Sequence, residues 1–279
     1  MNEPVSLLEE KKSCSHTFKM ELSYDGTNYH GWQRQKNEST VQEVIEEKLF
    51  HLFGRREMIR IQGSSRTDAG VHALGAVCSF QAPESPYIPD WKIKKALNRL
   101  LPSDIRIRTA EIVENNFNAR FSAHAKSYVY VVNTGDENPF TERYSWHIHD
   151  FTEINTLRKA LKKVEGTHDF RSFTVENSNL NDPVRTILKT DVIEFGSLVC
   201  IYFLGNGFLY KMVRSIVGSL SFVGRGIMTE QEFEEILLAH DRSKCKDTAP
   251  AKGLFLKKVF YHNDSWENDL PKHPPFWVC

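Results

Sequence analysis

Hydrophobic spacing along this chain switches between a period of two and a period near 3.6, in the order β-α-β-β-α-β, and the second half repeats much of that order. Elements of this kind each have one apolar face or stripe to bury, so the pattern leads to helices layered on a mostly antiparallel sheet. In the first half, Phe18-Lys19-Met20-Glu21-Leu22-Ser23-Tyr24 alternates as a strand does and stops at Asp25-Gly26. Val41, Val44, Ile45, Leu49, Leu52 and Phe53 then share one helical face, with Ser39 or Thr40 as cap and Glu43 placed for a capping box. Strands are expected at residues 59–61 and 76–80, a helix at 91–100 ended by Pro102, and a strand at 105–112.

A polar stretch at residues 114–118 separates the halves. The second opens with a strand at 127–133, in which Tyr128 and Tyr130 face one side and Val129 and Val131 the other. A helix at 154–164 and paired strands at 187–193 and 199–204 follow. A helix at 208–222 carries Leu209, Met212, Val213, Ile216, Val217 and Leu220 on one stripe, with Arg214 off it. A helix at 230–238 and a strand at 254–259 complete the half. These elements predict an α+β protein of two similar halves, residues 16–113 and 114–262, whose mostly antiparallel sheets join around a central cleft. Residues 1–15 and 263–279 read as a flexible N-terminal tail and a C-terminal tail.

Composition narrows the function. The 279 residues, 40% hydrophobic and 26% charged, suit a soluble globule with a core and exclude collagen-like or wholly disordered chains. Lys and Arg balance Asp and Glu at 36 each, which argues against a protein that coats nucleic acid nonspecifically. The balance is uneven, however: residues 51–130 hold 12 basic against 7 acidic side chains, so a basic surface is expected from that block. Cys14, Cys78, Cys200, Cys245 and Cys279 form no CxxC pair, and free thiols in a reducing compartment are expected. Met1-Asn2-Glu3-Pro4 lacks the basic start of a signal peptide and no segment suits a membrane span, so a cytoplasmic protein without membrane attachment is expected.

The densest cluster of special residues is Ser65-Arg66-Thr67-Asp68-Ala69-Gly70-Val71-His72, between two expected strands. Loops held by a rigid sheet often carry catalytic groups. A positioned, ionised aspartate is a competent covalent nucleophile, and a nearby arginine favours its ionised form. By spacing alone, the same segment reads better as a surface turn with Asp68 capping and Arg66 solvated.

Arg66-Thr67-Asp68-Ala69-Gly70-Val71-His72-Ala73 resembles the active-site motif of the TruA family of tRNA pseudouridine synthases. Residues 24–35, from Tyr24-Asp25-Gly26 to Gln33-Arg34-Gln35, resemble that family's first-strand signature. Phe117-Asn118-Ala119-Arg120-Phe121-Ser122-Ala123, with Lys126, Tyr128 and Tyr130, resembles its central motif. Residues 205–218, including Gly205-Asn206-Gly207-Phe208 and Arg214, resemble its late helix, and residues 249–256 its closing strand. Five matches in family order are far more specific than any one of them.

The resemblance implies a pseudouridine synthase fold and isomerisation of uridine to pseudouridine at positions 38, 39 and 40 in the anticodon stem-loop of tRNA. It implies a homodimer and no metal, nucleotide or redox cofactor. Asp68 matches the catalytic aspartate, with attack at ribose C1′ or base C6 left open. Tyr128 matches the tyrosine that packs on the flipped base and helps remove the C5 proton. Arg66 matches the arginine that fills the space the nucleotide leaves, and Arg214 the arginine that pairs with the aspartate. Ser65, Lys211 and Ser215 depart modestly from the family pattern. A basic groove for tRNA is expected to draw on Arg55, Arg56, Arg60, Lys92, Lys94, Lys95 and Arg99, several of which read equally well as a solvated helix face.

Two rival readings stand beside this one. His147-Ile148-His149-Asp150 has the look of a metallohydrolase ligand set, although no third or fourth ligand is evident nearby. A non-catalytic RNA-binding module on the same scaffold is the alternative function, and the intact Asp68 counts against it, since a pure binder gains nothing from a carboxylate facing phosphates. His72 beside Asp68 suits a loop-holding role better than that of a general base.

Overall fold

The computed structural model describes residues 16–55, 57–175 and 182–277. β1 (His16–Tyr24) sits between two antiparallel neighbours, β3 (His72–Ala82) and β4 (Ile105–Val113), and a two-residue β2 (Gln62–Gly63) adds to β3. In the second half, β5 (Ala125–Asn133) pairs with β9 (Leu198–Gly205), which pairs with β8 (Val184–Phe195) and through it β7 (Gly166–Asp169). β6 (Trp146–His147) lies parallel to β5.

One strand joins the halves. β10 (Leu254–Phe260) runs parallel to β3 on one side and antiparallel to β5 on the other, giving a single ten-stranded sheet in the order β4-β1-β3-β10-β5-β9-β8-β7. Register at this seam sets Phe255 beside His72, and Leu256 opposite Tyr128. Each half thus delivers its motif to the same line.

The helices are α1 (Val41–Leu52), α2 (Asp90–Leu100), α3 (Ile154–Lys162), α4 (Met212–Gly224) and α5 (Glu230–Leu238). Their apolar stripes meet one face of the sheet, where Phe18, Met20, Leu22, Ile45, Leu49, Leu157, Ile216 and Leu220 form a common core. The alternation expected on β5 holds: Tyr128 and Tyr130 lie in this core, whereas Val129 and Val131 belong to a smaller one on the opposite face. That second core is closed by residues 263–277, through Leu270, Phe276 and the Asp269 carboxylate, which accepts from Tyr202 Oη at 3.1 Å and pairs with Lys257. Residues 1–15 lie outside the described residues, as do Cys14 and Cys279. Cys78, Cys200 and Cys245 are free thiols.

Two expected elements differ. Residues 59–61 do not pair as a strand, because the Ile61 backbone is claimed by side chains of α1: its N–H donates to Glu46 Oε1 (3.1 Å) and its carbonyl accepts from Gln42 Nε2 (3.2 Å). The helix expected from residue 208 starts only at Met212, because Lys211 takes a left-handed φ of 57° that breaks the helical path. Phe208 and Leu209 are therefore in a turn ahead of α4. No helix among the described residues is long and apolar enough to cross a membrane.

Candidate active site

The loop from Ser64 to Val71 leaves β2 and enters β3, and it is fastened along its length. Ser64 N–H donates to Val77 O (2.8 Å), and Lys126 Nζ donates to Ser64 O (2.7 Å). Thr67 Oγ1 bonds Tyr24 Oη (2.8 Å), and its carbonyl accepts from Trp32 N–H (3.1 Å). Gly70 N–H donates to Tyr29 O (3.2 Å), and Val71 N–H closes a turn on Asp68 O (3.1 Å). The segment after β1 therefore serves as the bed of the loop. Gly31 is needed there: at φ 89°, a Cβ on it would stand 2.4 Å from Thr67 O.

At the crest of the loop, the Asp68 carboxylate accepts from Arg214 Nη1 at 2.6 Å, with side-chain exposures of 16% and 13%. Arg214 lies in the first turn of α4, flanked by the buried Met212 and Val213. Its Nε donates to Ala249 O (2.8 Å) while Ala249 N–H returns a bond to Arg214 O (3.0 Å), so the guanidinium is oriented from behind before it meets the carboxylate. Arg66 does not share this pair. It is exposed and makes no hydrogen bond or ion pair among the described residues. The cation beside Asp68 thus comes from a distant helix, not from the residue two places earlier.

Tyr128, 7% exposed, stands on β5 next to this pair, with the Phe208 ring meeting it edge-on at 5.0 Å. Burial pushes the Tyr128 phenol up to about 12; the Ser65 hydroxyl pulls the other way and the Asp68 charge adds to the rise. The phenol is therefore neutral at physiological pH. Tyr130, the next residue on that face, donates to Pro250 O (2.9 Å) and braces the segment that holds Arg214.

His72 is a buried cross-link. Its Nε2 faces the carbonyls of Arg143 and Lys252, each at 3.2 Å, and Nδ1 stands 3.0 Å from Gly26 N and 3.1 Å from Asp25 Oδ1. Both ring nitrogens are engaged, and neither is available to a substrate. Burial works to raise the Asp25 carboxyl, but hydrogen bonds from His72, Thr27 and Tyr144 outweigh it and hold the group well below the usual carboxylate range. Sequence reasoning did not single out Asp25 by itself; its place in the Tyr24-Asp25-Gly26 turn was the available signal.

The His147–Asp150 motif is dispersed. His147 Nε2 bonds Gly135 O (2.8 Å), and Asp150 takes Arg225 Nε on both oxygens (2.9 and 3.0 Å). No three His, Cys, Asp or Glu side chains among the described residues converge as a metal site. Of the expected groove residues, Arg60 is paired with Glu46 (2.8 Å), Arg55 donates to His51 Nδ1 (2.9 Å), and Lys92 lies over the Trp91 ring. Lys94, Lys95 and Arg99 are exposed on α2 without an ion pair among the described residues, and Arg56 lies outside them.

The family model for tRNA pseudouridine synthase matches residues 22–122 and 160–262. A tRNA pseudouridine synthase A of Thermoanaerobacter sp. (strain X514) is 43% identical over 241 residues, spanning 86% of this chain and 97% of the relative. One from Ligilactobacillus salivarius (strain UCC118) is 40% identical over 250 residues, 88% of this chain and 97% of the relative. A tRNA pseudouridine synthase A 1 of Protochlamydia amoebophila (strain UWE25) is 41% identical over 254 residues, 90% of this chain and 98% of the relative. The crystal structure of a Cbf5-Nop10-Gar1 complex overlaps 73% of this chain and 53% of that one at 10% identity and a TM-score of 0.32, a likeness too remote to bear on fold or function.

Proposed function

The chain belongs to the tRNA pseudouridine synthase family, and on that premise we propose that it isomerises uridine to pseudouridine at positions 38, 39 and 40 in the anticodon stem-loop of tRNA. The observation that carries this reading is the 2.6 Å pair of Arg214 and Asp68 beside the buried Tyr128.

Chemistry on a base inside a stem requires that base to be extruded, and the gap to be filled. The free Arg66 guanidinium is the filler, and the ring of Tyr128 is the surface that receives the uracil. Asp68 attacks at ribose C1′ or at base C6. The bond from N1 to C1′ breaks, the uracil turns, C5 bonds to C1′, and the bond to Asp68 breaks again, with its electron pair returning to the carboxylate. The C5 hydrogen leaves as a proton and N1 gains one, so atoms and charge balance with no outside reactant. Arg214 aims the carboxylate through a charge-assisted hydrogen bond, itself braced on Ala249 O. The neutral Tyr128 phenol takes the C5 proton only by passing on its own.

In the same reading the enzyme works in the cytoplasm as a homodimer with one tRNA touching both subunits. Residues 16–113 form the half that carries the nucleophile, and residues 114–262 the half that supplies Tyr128 and Arg214. A non-catalytic RNA-binding module has no observation in its favour, and relatives at 40–43% identity named as synthases weigh against it. Incubating the protein with an unmodified tRNA transcript and mapping pseudouridine along it tests the proposal. Product confined to positions 38–40 is expected, and product elsewhere would overturn the assignment of site.

A further inference from the structure

Phe121 is 78% exposed, and among the large apolar side chains of the described residues only Phe140 is more so. The turn that carries it is firmly fixed. Ala119 at its base is fully buried, its N–H donating to Ser79 Oγ on β3 (3.0 Å) and its carbonyl accepting from Tyr261 Oη (2.9 Å). Asn118 Oδ1 accepts from the N–H groups of both Arg120 (2.9 Å) and Phe121 (3.1 Å). Ser122 N–H donates to Asn118 O (2.9 Å), and Asn118 N–H to Ser122 Oγ (3.2 Å). The turn is thus closed by Asn118 and Ser122 and pinned from behind, while its crest is held out in solvent.

One face of the exposed ring carries a cation. The Arg120 guanidinium lies 5.5 Å from the Phe121 centroid, and its side chain makes no hydrogen bond or ion pair among the described residues. Residues 118–124 hold no carboxylate, and the ring's neighbours on the turn, Arg120, Ser122 and the exposed His124, are polar. A lone aromatic ring rimmed by donors and positive charge suits a nucleobase and its phosphate, since bases stack on aromatic and guanidinium planes and guanidinium forks match phosphate oxygens. A rigid turn also loses little freedom when such a contact forms.

The turn stands beside the catalytic loop. It leads directly into β5, and Ser79, to which it is pinned, is the strand partner of Gln62 on β2, from which the Asp68 loop departs. Lys126, between the turn and Tyr128, donates to Ser64 O of the same loop (2.7 Å). Even fully extended, the chain from Phe121 to Tyr128 spans no more than roughly 23 Å. Stacked nucleotides advance about 3.4 Å each, so this reach covers about seven of them.

We propose that the open face of Phe121 is a stacking platform for one RNA base outside the catalytic pocket, with Arg120 behind the ring to meet that nucleotide's phosphate. The inference rests on the tRNA reading given above and adds to it a second hold on the RNA. Every base presents a π-face, so the platform grips without reading sequence. The target is then set by where a uridine falls relative to the held base, not by the identity of the bases around it.

The test uses the full-length protein and synthetic anticodon stem-loop RNA. Phe121→Ala and Phe121→Leu are each expected to weaken binding about tenfold and to raise KM more than they lower kcat, whereas Phe121→Trp restores binding. Leucine keeps the apolar bulk and loses the stacking face, so it separates a platform from a merely greasy surface. None of these changes touches the hydrogen bonds that close the turn, and the urea midpoint is expected to stay at the wild-type value. A series of RNAs, each with one abasic nucleotide, then locates the partner. At the stacked position the abasic RNA should bind wild type as weakly as intact RNA binds Phe121→Ala, and the two losses should not add.

Wild-type binding by Phe121→Ala or Phe121→Leu, or additive losses at every abasic position, would overturn the platform. So would dissociation of a dimer by Phe121→Ala in sedimentation, which would make the ring a protein contact. Pseudouridine formation with KM unchanged in Phe121→Ala would remove the platform and leave the catalytic reading standing. Binding that depends on Phe121 without any pseudouridine formed by wild type would do the reverse.

Discussion

Arg214 and Asp68 stand 146 residues apart in the chain and meet at 2.6 Å in the fold. The contact exists because β10 inserts between β3 and β5 and brings the two halves into one sheet. Arg214 reaches two oxygens at once, one on Ala249 and one on Asp68, and a lysine cannot reproduce that fork. Arg214→Lys is therefore expected to keep the local charge yet lower kcat on tRNA by about 10²-fold, the scale of loss that a 1 Å misplacement brings. A near-wild-type rate would mean that a point charge suffices.

Tyr128→Phe keeps the ring edge against Phe208 and removes only the hydroxyl. Affinity for tRNA is expected to hold, while kcat drops by roughly 10²-fold, as for loss of a proton-transfer group. Steady-state kinetics on a tRNA transcript separate these terms. Full activity would leave Tyr128 a packing surface alone.

Gly31→Ala places a methyl group 2.4 Å from Thr67 O at a φ of 89°. Neither the loop nor its bed has a flexible side chain to move aside at that point. A loss of more than about 2 kcal/mol in urea unfolding is expected, with activity falling as the Asp68 loop shifts. Stability within about 0.5 kcal/mol of wild type would show that the loop is not seated as described.

Lys126 is held down to about 8, against an ordinary 10.5, by burial first and then by Arg120 and Arg185. Between those pH values the unfolded chain binds a proton that the folded protein has released, so this group makes stability rise with pH. Lys126→Met removes that dependence. From pH 8 to 10.5, wild type should gain on the order of 2 kcal/mol relative to the variant in urea unfolding. A difference that stays constant across the window would contradict a depressed lysine.

Much of this arrangement is legible in the sequence because local pattern and tertiary placement agree. α5 runs over the expected residues, with Thr229 and Glu232 closing a capping box. On β5, simple alternation is enough to assign Tyr128 and Val129 to opposite faces. Where a neighbouring element supplies the partner, period fails: the Ile61 backbone bonds to Gln42 and Glu46, and Lys211 breaks the helix that its apolar neighbours suggest. β6 and β7 are too short or too polar to leave a periodic trace. The Asp68 loop is legible by resemblance to a family, whereas its spacing alone favours a surface turn. The pairing with Arg214 could not come from spacing at all, because it depends on a register set across the whole sheet.

The central claim is that Asp68 is the nucleophile of a reaction that replaces the bond from N1 to C1′ by one from C5. Forming that bond expels the hydrogen on C5. Tritium release from tRNA labelled at C5 of uridine, compared between wild type and Asp68→Asn, reads the step directly. The account predicts release by wild type and none by the variant, which should still bind tRNA. Release by both proteins would remove Asp68 from the chemistry, and release by neither would remove the chemistry itself.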